Sequence, residues 1–95
     1  MIMKIKSIYK VPDGKLLKIN ADIDETNDTI KDININGDFF AYPEESITEL
    51  EKILQQKNFK RKDIIKIITT FIESKKVQFI GIDAESLTEA IMRCE

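Results

Sequence analysis

Ninety-five residues are enough for one domain with a single core, so residues 1–95 read as one unit. With 42% apolar and 34% charged residues the chain is folded rather than disordered, and its net charge of −2 gives no strong field toward nucleic acid or an anionic membrane. The lone cysteine, Cys94, excludes an internal disulfide, and no stretch approaches the ~20 apolar residues of a membrane span, so a cytoplasmic location is expected.

The N-terminal segment Met1-Ile2-Met3-Lys4-Ile5-Lys6 is too charged and too short for a secretion signal. It opens a strand instead, with Met3, Ile5, Ser7 and Tyr9 on one face and Lys4, Lys6 and Lys10 on the other. Val11-Pro12-Asp13-Gly14-Lys15 reads as a tight turn. Pro12 presets φ at the first corner, Asp13 suits the second, and Gly14 accepts a left-handed conformation. A second strand follows, with Leu17, Ile19, Ala21 and Ile23 alternating against Lys18, Asn20, Asp22 and Asp24. After the polar turn at Glu25-Thr26-Asn27-Asp28, a third strand from Ile30 to Asn36 turns Ile33 and Ile35 inward.

From Pro43 the apolar period becomes helical. Pro43 is read at the first helical position, Glu44 and Glu45 complement the helix dipole, and Ile47, Leu50, Ile53 and Leu54 form one stripe. Asn58 and the basic residues Lys57, Lys60, Arg61 and Lys62 mark a break. Asp63 is then the expected N-cap of a helix that buries Ile64, Ile67, Ile68, Phe71 and Ile72. Val77 to Ile82 is short and extended, and Asp83 caps a last helix from Ala84 to about Cys94 with Leu87, Ala90 and Ile91 inward. The expected fold is α+β in two layers: an antiparallel three-stranded meander covered on one face by about three helices, with a short extra edge strand left open.

Much catalytic chemistry is missing. The chain has no histidine, the commonest general base and neutral metal ligand. Cys94 lies next to the C-terminus, where no partner base is expected. Its three glycines, Gly14, Gly37 and Gly81, lie far apart and form no phosphate-cradling motif. The carboxylates fall in turns and helix starts, so no catalytic residue and no metal ligand is assigned.

Two segments exceed what a generic α+β domain needs, and the C-terminal tail joins them in the pattern that follows. The two are Lys10-Val11-Pro12-Asp13-Gly14-Lys15-Leu16, then Ile35-Asn36-Gly37-Asp38-Phe39-Phe40 followed by Pro43-Glu44-Glu45; the tail runs from Phe79-Ile80-Gly81-Ile82-Asp83 to Ile91. Their motifs and order resemble the C-terminal accessory domain of lipoate–protein ligases, from about Lys6 to Met92. One departure is Asp13, where many relatives carry a second glycine; Asp is tolerated in turns, so the match is weakened only slightly.

The resemblance implies a stand-alone small subunit, since the sequence begins at Met1 and holds nothing else. It would dock on a large catalytic subunit and be needed for activating lipoate to lipoyl-adenylate, before transfer to a lysine of a lipoyl domain or of the glycine-cleavage H protein. The complex would use ATP, Mg2+ and lipoate, none of them bound by this chain alone. Neither nucleic acid nor membrane is an expected partner. The alternative is a free-standing protein–protein adaptor of the same fold with no part in lipoylation.

Several positions carry two readings. Phe39 and Phe40 face opposite ways in an extended segment. If the third strand's parity continues past Gly37, Phe39 joins the core while Asp38, Phe40 and Tyr42 emerge as a docking surface. Otherwise Gly37 marks a bulge and both rings are buried. Lys15, with Lys10 beside it, contacts an adenylate phosphate or a partner carboxylate, or is simply a solvated turn lysine. Pro12, Gly14 and Gly37 set the hairpin and strand-end geometry. The Lys57–Lys62 cluster is read as a solvated helix connection, because no aromatic residue beyond Phe59 interleaves it.

Overall fold

The computed structural model describes residues 1–12 and 14–95, so the reading of Asp13 as a turn corner lies outside the described residues. Strands β1 (Ile2–Lys10), β2 (Leu16–Asp24) and β3 (Thr29–Gly37) form an antiparallel sheet in the order β1-β2-β3. Helices α1 (Ser46–Leu54), α2 (Arg61–Lys75) and α3 (Ala84–Met92) complete the layers, with α1 packed on β3, α3 on β1 and β2, and α2 against both helices. Between them β4 (Phe40–Tyr42) and β5 (Gln78–Ile80) pair into a separate antiparallel ribbon. The extra strand therefore does not extend the meander: β5 finds its partner in β4.

The alternation in β2 explains the core. Leu17, Ile19, Ala21 and Ile23 are buried beneath the helices, while Lys18 and Asn20 are exposed on the opposite face. Leu50, Leu54, Ile64, Ile68, Leu87 and Ile91 meet them from the helical layer, each with no exposed surface. Each such side chain contributes about 1.5–3 kcal/mol by leaving water. In β3 the pairing slips between Asp22 and Ile23, so that Ile23 faces Ile30 while Asp22 faces Asp32. This bulge turns Ile30 into the core beside Ile33, three positions apart, where strict alternation would set them on opposite faces.

The sheet edges are covered differently. On β1 the C-terminal Glu95 exchanges backbone hydrogen bonds with Lys6, its N–H donating at 3.1 Å. On β3 the Ile35 N–H donates to the Glu51 carboxylate at 2.7 Å. That contact explains why Ile53, expected in the apolar stripe of α1, is 37% exposed: the helix is rotated to bring Glu51, on the opposite flank, to the strand edge. Met3, read on the same strand face as Ile5, is 41% exposed, whereas Ile5 is buried. Helix α3 is anchored further along β1, where Ser7 Oγ donates to the Ala90 carbonyl at 2.6 Å.

Two expected helix starts move. Helix α1 begins at Ser46 with Glu45 in the N-cap position, so Pro43 is not its first residue. Pro43 instead lies in the preceding turn, its carbonyl accepting the Ser46 N–H at 3.0 Å. Helix α2 begins at Arg61 after Lys60, and no side chain caps it. Asp63 falls inside the first turn and accepts a hydrogen bond from Asn58 Nδ2. Asp83 does cap α3, its Oδ1 accepting the Ser86 N–H at 2.7 Å.

Candidate functional site

The three segments singled out in the sequence converge in space. Lys15 N–H donates to the Gly81 carbonyl at 3.0 Å, joining the β1–β2 hairpin to the chain leaving β5. Asp38 N–H donates to the Leu16 carbonyl at 3.1 Å, joining the same hairpin to the end of β3. Phe40 pairs with Ile80, and the Phe39 and Phe79 rings meet edge to face at a centroid distance of 6.4 Å.

Small residues permit this convergence. The hairpin is closed by Gly14 N–H donating to the Val11 carbonyl at 2.9 Å and Val11 N–H donating to the Lys15 carbonyl at 3.0 Å. A Cβ on Gly14 would lie 2.6 Å from the Gly81 carbonyl oxygen, and one on Gly37 would lie 2.2 Å from the Leu16 carbonyl oxygen. Gly81 has φ +96° and carries the Lys15 stem so closely that a Cβ would lie 2.4 Å from Lys15 Cγ. The glycines that formed no motif in sequence all touch the segment Gly14–Leu16 or its contact at Gly81. The sequence reading missed this junction because nothing local links position 15 to position 81.

The ribbon has two unlike faces. Ala41 and Phe79 are half-buried, with Phe79 packed against the core. On the other face Phe40 is 61% exposed, Tyr42 49% and Ile80 45%. Phe39 packs inward, so parity does continue past Gly37. Asp38 is also exposed. Beside Phe40 lies a hollow of about 310 Å³, walled also by Phe39, Ala41, Ile47 and Glu44. Ile80 was not anticipated on this surface; the alternation Gln78-Phe79-Ile80 carried the signal, but only the pairing with β4 shows which way it points.

The basic residues of the hairpin serve different ends. Lys10 Nζ donates to the Gly14 carbonyl at 2.9 Å and so braces the turn. Lys15 is exposed, its stem lying over Gly81. Pro12 is exposed at the tip and lines a groove with Tyr9, Arg61 and Arg93. In that groove Glu89 accepts hydrogen bonds from Arg61 Nη2 at 2.7 Å and Arg93 Nε at 2.6 Å, and the Arg93 guanidinium lies 4.8 Å from the Tyr9 ring centroid. The hydrogen bond from Arg93, then that from Arg61, holds the Glu89 carboxyl below its ordinary value of 4.5. Both guanidinium groups are thus committed to one carboxylate, which ties α2 to α3. Burial raises the Cys94 thiol, opposite to what a nucleophile requires. Among the described residues no group of three His, Cys, Asp or Glu side chains is placed to hold a metal, and no helix is long and apolar enough to cross a membrane.

Comparisons with known proteins agree with this geometry. The family described as bacterial lipoate protein ligase C-terminus matches residues 9–91. Lipoate-protein ligase A subunit 2 of Thermoplasma acidophilum is 39% identical over 91 residues, spanning 96% of this chain and 90% of that protein. A chain from the structural analysis of an archaeal lipoylation system, a bi-partite lipoate protein ligase and its E2 lipoyl domain from Thermoplasma acidophilum, is similar with TM-score 0.82. The two are 33% identical, and the similarity covers 96% of this chain and 97% of that one. The match takes in the hairpin, the ribbon and most of α3 together, and the chain belongs to the family of bacterial lipoate protein ligase C-termini.

Proposed function

We propose that this chain is the non-catalytic accessory subunit of a lipoate–protein ligase. In this reading it docks on a large catalytic subunit and is required when that subunit converts lipoate and ATP into lipoyl-adenylate. The observation that carries the reading is the near full-length match to a protein named as subunit 2 of such a ligase, over 96% of this chain and 90% of that protein. The composition supports the non-catalytic part: the chain has no histidine, and its one cysteine is buried. ATP, Mg2+ and lipoate are assigned to the large subunit, and the acyl group passes from there to a lipoyl-domain protein.

The test mixes purified chain with the large subunit and follows lipoate-dependent exchange of pyrophosphate into ATP. Exchange that rises when this chain is added supports the reading. Equal exchange with and without it defeats the proposal, as does lipoyl-adenylate formation by this chain alone.

A further inference from the structure

We infer that the outward face of the β4–β5 ribbon, formed by Phe40, Tyr42 and Ile80, is the surface that seats this chain on the large catalytic subunit; the inference rests on the accessory-subunit reading above. A two-stranded ribbon of three residues per strand has little stability of its own. Here it is held from behind by the Phe39–Phe79 contact and from the side by the Lys15–Gly81 hydrogen bond. The fold thus fixes an element whose solvent side carries a phenylalanine, a tyrosine and an isoleucine in cross-strand contact range. Aromatic residues on a pre-organised surface are the residues that concentrate binding energy at interface centres, and they lose little freedom on docking.

The carboxylates at the patch, with Lys15 as the flanking cation over Gly81, bear on the occupant. The hollow beside Phe40 has Glu44 as its one charged wall residue among the described residues, and Asp38 is exposed two positions before Phe40. A second copy seated on the same face would bring these carboxylates toward each other around an isologous axis, which is unfavourable. The fitting partner presents an apolar recess for Phe40 with lysine or arginine at its rim. In an accessory subunit, the large subunit is the partner that must be met.

The experiment measures the affinity of the purified full chain for the purified large subunit by titration calorimetry, with thermal unfolding of every variant. Binding by the unaltered chain tests the accessory-subunit reading; its absence sinks that reading first. Given binding, Phe40→Ala is expected to raise Kd at least about fivefold, and Phe40→Ala with Ile80→Ala about thirtyfold or more. Ile8→Ala, a 70% exposed side chain on the meander, is expected to leave Kd unchanged. Glu44→Lys, at an exposed position, gives a second readout that does not depend on removing a ring; it is expected to weaken binding most at low salt. Unchanged Kd in both the Phe40→Ala, Ile80→Ala double variant and Glu44→Lys would overturn the inference. So would a dimer of the isolated chain that Phe40→Ala dissolves.

Discussion

Lys15 and Gly81 meet backbone to backbone, the Lys15 N–H donating to the Gly81 carbonyl at 3.0 Å while the Lys15 stem crosses the bare α-carbon of Gly81. Through this contact the tip of the first hairpin positions the strand that carries Ile80. It gives the hairpin segment a purpose beyond turning the chain, because the ribbon face is aimed by it.

Replacing Gly81 tests that coupling. Gly81→Ala must accommodate φ +96° and a methyl group against Lys15 Cγ, and is expected to cost about 1–3 kcal/mol in urea unfolding. Lys15→Ala in the same chain removes Cγ and should return part of the loss. A Gly81→Ala variant as stable as the parent would show that the junction is loose.

The β3 edge offers a second test. Glu51→Ala leaves the Ile35 N–H without the carboxylate that accepts it at 2.7 Å, and is expected to destabilise the fold by about 1–3 kcal/mol. Glu51→Gln keeps an acceptor oxygen and should cost clearly less. Equal losses for the two variants would mean that the charge of the carboxylate, rather than an acceptor oxygen at that position, is what matters.

The Arg61–Glu89–Arg93 cluster predicts a pH dependence. The carboxyl of Glu89 titrates below its ordinary value of 4.5 in the folded chain, chiefly through the hydrogen bond from Arg93. A depressed carboxyl stabilises the fold at pH above its unfolded value and loses that contribution as pH falls through its folded value. Thermal unfolding of Glu89→Gln should therefore fall below that of the parent at pH 7, with the gap closing as pH drops below 4.5. A gap that stays constant down to acid pH would assign the effect to something other than this charge.

Local patterns settled much of the architecture. Alternation in Leu17-Lys18-Ile19-Asn20-Ala21 marked the buried face of β2, because a strand buried on one face must alternate. Asp83 announced the start of α3 for an equally local reason: an acceptor side chain there satisfies an otherwise orphaned N–H. Pro43 and Asp63 misled because both residue types suit more than one position near a helix start, and which one they take depends on the preceding chain. Family motifs were legible as well, since each is contiguous.

What tertiary structure alone decided was how distant pieces meet. The bulge that turns Ile30 inward depends on the β2–β3 pairing, and the rotation that exposes Ile53 depends on where Glu51 finds a donor. Whether Ile80 joins Phe40 on an open face depends on strand register across the whole helical half of the chain. Periodicity records which side of its own element a residue occupies. It holds no information about which other element lies beside it, and a surface built from β4, β5 and a hairpin tip exists only after those elements have packed.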